Sequence, residues 1–366
     1  MSEDSINLHN AEQCSNTTLK KIKKQRVKGL DSIRFLCAIW VACSHGGYPP
    51  LTANLDTTDQ LQWFVNGVYT SIFCGPAAVI VFFLISGFCI HYPYKNSWSK
   101  ETIIPFIIAR LTRITLPIII AAAMIEILGI DASIFYLLVG WSIVCEIAYY
   151  LFYPFLRLLI NKKKGWQKLL LLSYFPTILA FWFFPLKLVN YPGVGFYYVI
   201  CLGFPCWILG LLLCYSIDNI NPKKSLSKKN LVFHRILIFF LAFASHVLAL
   251  QEVLGHPFTL NFFAIAAFFW LRKEITFYHD RPTSKFMDNI GKASYSIYLM
   301  HGIPAFIISL LTSELEHSSK FFIYWIILAI LTSAFYFLVE KPTHNLSRKL
   351  FRHFLSKKAH FSHCSY

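Results

Sequence analysis

Apolar runs recur along nearly the whole chain, separated by short polar stretches. Ten can be drawn, at 30–47, 71–92, 114–130, 134–156, 167–184, 194–216, 231–250, 256–271, 290–311 and 320–339. A bilayer core of ~30 Å needs ~20 helical residues, so the shorter runs imply short or tilted helices. Inside hydrocarbon each backbone polar group has to be satisfied within its own segment, which selects helices. The pattern predicts an all-α polytopic integral membrane protein with about ten transmembrane helices. They form one domain, 29–342, between a polar and basic tail at 1–28 and a basic tail at 343–366.

The polar stretches alternate in charge. KKIKKQRVK before the first run, 93–113, 157–166, 217–230, 272–289 and the tail from Lys341 are rich in Lys and Arg. Between them, 48–70, 131–133 and 251–255 have none, and 185–193 has only Lys187. By the positive-inside rule both termini are cytoplasmic. Composition agrees: 56% of residues are hydrophobic and 14% charged, which excludes a disordered chain and fits a soluble globule poorly. The net charge of +16 sits in loops, so it signals orientation and no nucleic-acid partner. The first run has no small-residue cleavage pattern and is expected to stay. Eight of the ten cysteines lie in or beside apolar runs, where cysteine behaves as a small hydrophobe. No paired ligand spacing suggests a metal, and no metal is expected.

Ionisable residues inside spans are costly and mark sites. In GLDSIRFLCAIWVACSHGG, Arg34 and His45 are eleven residues apart, on nearly one helix face and roughly 16 Å apart along the axis. Asp31 lies a turn before Arg34. Arg110 and Arg113, in ARLTRITLP, share a face at i, i+3. With Arg34 they make a cationic mouth suited to phosphate, because guanidinium forks bind its oxygens bidentately; membrane-end anchoring is the plainer reading. Deeper lie Glu146, in WSIVCEIAYYLFYP, and His301, in SYSIYLMHGIP. Histidine exchanges protons near neutrality and a carboxylate orients its ring, the elements of a general base. Either group can equally serve helix packing. The SGF of FFLISGFCIHYPY offers small residues for close helix contact. Trp141, Tyr149, Tyr150 and Tyr153 suit either sugar stacking or an interfacial belt, and the loop 48–70 (Tyr48, Trp63, Tyr69) suits an acceptor contact or a lid.

GLDSIRFLCAIWVACSH, FFLISGF, RLTRITLP, WSIVCEIAYYLFYP, SYSIYLMHGIP and EKP (Glu340 to Pro342), in this order, resemble the acyltransferase-3 family of bacterial integral membrane acyltransferases. That family includes O-acetyltransferases of O-antigen, exopolysaccharide and nodulation factors. The resemblance puts the family's arginine–histidine motif on Arg34 and His45, its arginine pair on Arg110 and Arg113, and its glutamate on Glu146. Ala109 stands where many members have a further arginine. Ile147 and Ala148 replace the acidic and polar residues that often follow the glutamate.

The resemblance implies a membrane O-acyltransferase in a bacterial inner membrane. It moves an acyl group, acetyl foremost, from cytoplasmic acyl-CoA to a hydroxyl of a surface polysaccharide or lipopolysaccharide sugar, free or lipid-linked. Arg34, Arg110 and Arg113 would hold the CoA phosphates, with His45 as base or acyl-accepting nucleophile and Glu146 balancing it. Asp31 and His301 are further candidates. A small secreted metabolite or a lipid as acceptor, or a transporter, remains open; thioester-dependent transfer separates the last from the rest.

Overall fold

The computed structural model describes residues 27–46, 60–184, 190–218, 227–311 and 317–363. The described residues are helical, with no strand among them. Residues 1–26 and Tyr48 lie outside them, as does the side chain of Trp63.

Thirteen longer helices organise the described residues. They are α1 (Leu30–Ser44), α2 (Gln60–Ile72), α3 (Gly75–His91), α4 (Ile103–Ile127), α5 (Trp141–Leu159), α6 (Lys163–Phe183) and α7 (Phe196–Ser216). Then follow α8 (Lys228–Leu250), α9 (His256–Tyr278), α10 (Ser294–Met300), α11 (Ile303–Leu311), α12 (His317–Phe335) and α13 (Lys341–His363). Every apolar run of the sequence falls on helix. Among the described residues six helices are long and apolar enough to cross a membrane, or seven if the pair α10–α11, bent by 50°, is one span. The first run gives only the 15 residues of α1, about 22 Å at ~1.5 Å per residue. The runs under α6 and α9 are diluted by Lys164 and Lys168, and by His256, Asn261 and Arg272–Glu274.

Two stretches expected as loop or tail are ordered. The second half of 48–70 is α2, where Tyr69 packs edge-on against Phe73. The basic segment after Lys341 is α13, which lies along α4; Ser347 Oγ donates to the Ala109 carbonyl at 2.7 Å. Ala109 is buried beneath it, so this position serves helix contact.

The centre of the bundle is α3, buried on nearly all sides and packed on α1, α7 and α9. Its approach to α7 depends on glycine. A Cβ at Gly87 would strike the Trp207 carbonyl, and one at Gly210 the Leu84 carbonyl. Both obstacles are backbone, which cannot rotate away. The SGF segment thus performs the packing role its composition suggests. Gly87→Leu is expected to cost more than the usual ~1–3 kcal/mol of overpacking, since helices must separate. Its measure is loss of the monodisperse peak in detergent chromatography and a lowered melting temperature; an unchanged profile contradicts this packing.

Trp141, Tyr149 and Tyr153 also belong to the core. Trp141 stacks on Tyr191 at 5.1 Å, and the Tyr149 hydroxyl donates to the Ile200 carbonyl. Tyr153 meets His91, whose other ring nitrogen meets Tyr215.

Candidate active site

Two ends of the bundle matter. At one, α1 begins beside residues 285–293, which lead into α10; at the other, α1 ends beside the start of α3 and the break between α10 and α11.

At the first end Arg34, Arg110 and Arg113 line one cavity of about 90 Å³, together with Glu146 of α5 and Tyr298 of α10. The i, i+3 spacing aims both α4 arginines the same way. Arg110 lies over the Phe106 ring at 5.6 Å. The three guanidinium groups are near enough to repel one another. Asp31, Glu146 and Glu340 supply opposing charge within Coulombic range. Among the described residues, however, no carboxylate closes an ion pair on any of the three. The cavity therefore presents concentrated positive charge with unspent donors, which favours a polyanion.

The carboxylates are occupied otherwise. Ser86 Oγ donates to Glu146 Oε1 at 2.7 Å, and the Tyr150 hydroxyl donates to the same oxygen. Glu340 accepts from both the backbone N–H (3.0 Å) and the hydroxyl of Ser296, and so caps the beginning of α10. It closes a π-helical segment, Tyr136–Gly140 being the other, and such bulges often re-aim side chains at sites.

His45 ends α1 at the opposite end, half-buried. The expected pairing with Glu146 does not form. The ring facing His45 is that of His301, with centroids 5.2 Å apart. The reason is architectural: α1 packs on α3 and α10, while Glu146 belongs to α5, across the cavity. His301 sits at the break in its span, entirely buried. Its Nδ1 donates to the Tyr298 carbonyl at 2.7 Å, because a carbonyl can only accept. That leaves Nε2 with its lone pair, buried and without a hydrogen-bond partner among the described residues.

Tyr298 joins the two regions. It lines the cavity, bonds Ser142 of α5 at 2.6 Å, and packs its ring 5.7 Å from that of His301. Ser142 and Glu146, one turn apart, face the same cavity. A line of polar groups thus runs from the arginines past Glu146, Ser142 and Tyr298 to the histidine pair. Tyr324 of α12 holds the far end, its hydroxyl 3.2 Å from the Ala42 carbonyl and 2.9 Å from that of His301. Tyr324→Phe removes this single donor from two buried carbonyls. It is expected to cost ~1–3 kcal/mol of stability and to lower turnover by loosening the ring pair. Wild-type turnover in that variant contradicts the positioning role.

Sequence reasoning did not find Ser86, Ser142, Tyr150, Tyr298, Tyr324 or Glu340 as site residues. Tyr150 was accessible as the residue one turn after Glu146, and Tyr298 as the one three before His301. The others reach the site only through tertiary packing.

A second cavity, about 440 Å³ and mostly apolar, lies on the other face of α1, against Ile33, Leu36, Trp40, Phe239 and Phe263. At its polar end Arg235 forks onto Glu274 at 2.7 and 3.0 Å, and Trp270 donates to the same carboxylate.

The profile of a known family, described as an acyltransferase domain, matches residues 27–341, most of the chain. The chain belongs to the acyltransferase-3 family. No curated protein and no solved structure matches it. As a member, it is a multi-pass membrane acyltransferase. The matched region ends one residue after Glu340, so family membership covers the arginine cavity, the polar line and the histidine pair alike.

Proposed function

We propose that this acyltransferase-3 protein transfers an acyl group, acetyl foremost, from cytoplasmic acyl-CoA to a hydroxyl of a cell-surface glycan, in a bacterial inner membrane with both termini cytoplasmic. The observation that supports the reading is the polar line from three arginines, without an ion pair among the described residues, to the histidine pair at the other end of the bundle.

The CoA phosphates meet Arg34, Arg110 and Arg113 on the cytoplasmic side. The pantetheine arm follows the line past Tyr298. The rise from Arg34 to His45 is about three helical turns, within the reach of an extended arm. At the far end an acceptor hydroxyl gives its proton to an imidazole nitrogen as its oxygen attacks the thioester carbonyl. The carbon–sulfur bond then breaks, and the sulfur leaves as thiolate and is protonated to CoASH. His45 is the base and His301, its tautomer held by the Tyr298 carbonyl, keeps an acceptor nitrogen beside it. Direct acylation of His45 before transfer fits the same geometry. Glu146, with Ser86 and Tyr150, balances the arginine cluster instead of orienting His45.

Cells expressing the protein and fed isotope-labelled acetate test this. Labelled ester on surface polysaccharide in the wild type, absent with His45→Ala, supports it; no labelled ester in either overturns the donor or the acceptor. The apolar cavity beside α1 favours a second reading, a lipid acceptor whose chains lie there; labelled ester in the lipid fraction alone decides for it.

A further inference from the structure

We propose that Cys74, His246 and His256 form a zinc site that ties the hairpin of α8 and α9 to the start of α3. Cys74 immediately precedes α3, His246 lies in the last turns of α8, and His256 is the first residue of α9. Their ligand atoms all lie within 4.8 Å of one another. Cys74 Sγ is 3.7 Å from His256 Nε2, and the two imidazole rings stack at 5.3 Å and 27°. Zn–S and Zn–N bonds of ~2.3 and ~2.05 Å at a tetrahedral angle place sulfur and nitrogen about 3.5 Å apart. The apposition needs only a small adjustment to close on an ion.

The chemistry of the three donors selects the metal. One thiolate with two imidazoles suits zinc, whereas magnesium and calcium need oxygen ligands. Cys74 and His256 are buried to 0% and 1% exposure, and His246 Nδ1 is shielded with no hydrogen-bond partner among the described residues. The 3.7 Å sulfur–nitrogen contact already brings Cys74 and His256 together, and coordination would engage one donor atom of each of the three residues. Binding releases the Cys74 proton to solvent. No fourth Cys, His, Asp or Glu joins the group among the described residues, which leaves one position for water.

The place is telling. Gly75, the next residue, lies against Ser44 and His45, so a clamp at Cys74 fixes the helix start beneath the histidine end of α1. The site is separate from the arginine cavity, whose lining includes none of the three residues.

The test uses the full chain in detergent, purified on a tag without histidine, stripped with chelator, loaded with Zn²⁺ alone and desalted. Elemental analysis is expected to find stoichiometric zinc in the wild type and at least tenfold weaker retention in Cys74→Ser and in His246→Gln. Co²⁺ in place of zinc is expected to give a thiolate charge-transfer band that Cys74→Ser lacks. Zinc should also raise the melting temperature of the wild type and leave that of Cys74→Ser unmoved, as linkage requires. The proposal is overturned by wild type that retains no zinc, by retention of copper with zinc excluded, or by variants that hold zinc as well as wild type. The wild-type measurement stands by itself should a variant fail to fold.

Discussion

His45→Ala lowers acyl transfer by roughly 10²–10⁴-fold, the usual worth of a positioned general base, and leaves insertion and folding intact. The reason is local. His45 is half-buried at the end of α1, and its ring contacts His301 without anchoring a helix through a side-chain bond. Alanine removes the proton acceptor and little of the packing. The loss belongs to kcat, because the proposed seat of the acyl-CoA phosphates is some 16 Å away on the rise of α1. The measure is CoASH release and ester formation at saturating acyl-CoA, beside a detergent chromatogram of each protein. His45→Ala with wild-type kcat removes this residue from the chemistry. A kcat lost only together with the monodisperse peak assigns it to folding instead.

Arg110→Ala with Arg113→Ala produces the other large effect, in the opposite kinetic parameter. Hydrogen bonds to charged groups contribute ~1.5–3 kcal/mol each, so two arginines account for a rise of about 100-fold or more in KM for acyl-CoA. Both guanidinium groups line the cavity without an ion pair among the described residues, and Arg34 remains in Coulombic range of Glu146 and Glu340 in the double variant. Removal of like charges that repel each other and Arg34 also lowers the cost of the empty cavity. Folding should therefore survive. A donor lacking the nucleotide phosphates gives the control: wild type and double variant should use it equally poorly. A double variant with unchanged KM for acyl-CoA, or with the same loss on the truncated donor, shows that these arginines do not hold phosphate.

Much of this architecture was legible because the bilayer imposes a simple code. Apolar runs marked the main helices other than α2 and α13, and the arginines of α1 and α4 declared themselves by being costly where they stand. Helix register puts Arg110 and Arg113 on one face of α4, and packing brings Arg34 to the same cavity. The errors fall where packing decides. Glu146 and His45 look like natural partners in sequence, yet Glu146 lines the arginine cavity while His45 lies outside its lining, against His301, because α1 docks on α3 and α10. His301 became the facing ring only because its span breaks at the His301–Gly302 turn. α13 was unreadable as structure: its residues are basic and polar, and its order comes from lying along α4. The Cys74, His246 and His256 group had no local spacing to reveal it, since two helices and a turn bring the ligands together.

The most direct test of the central claim, one passage from arginine cavity to histidine pair, is photoaffinity labelling. An acyl-CoA with a diazirine in its acyl chain is irradiated on the wild-type protein, and the adducts are mapped by peptide mass spectrometry. The account expects label on the peptides of His45 and of Tyr298 to Gly302, abolished by excess unlabelled acyl-CoA and by Arg110→Ala with Arg113→Ala. Label confined to Trp40, Phe239 and Phe263 of the apolar cavity, or to the arginine end alone, contradicts it.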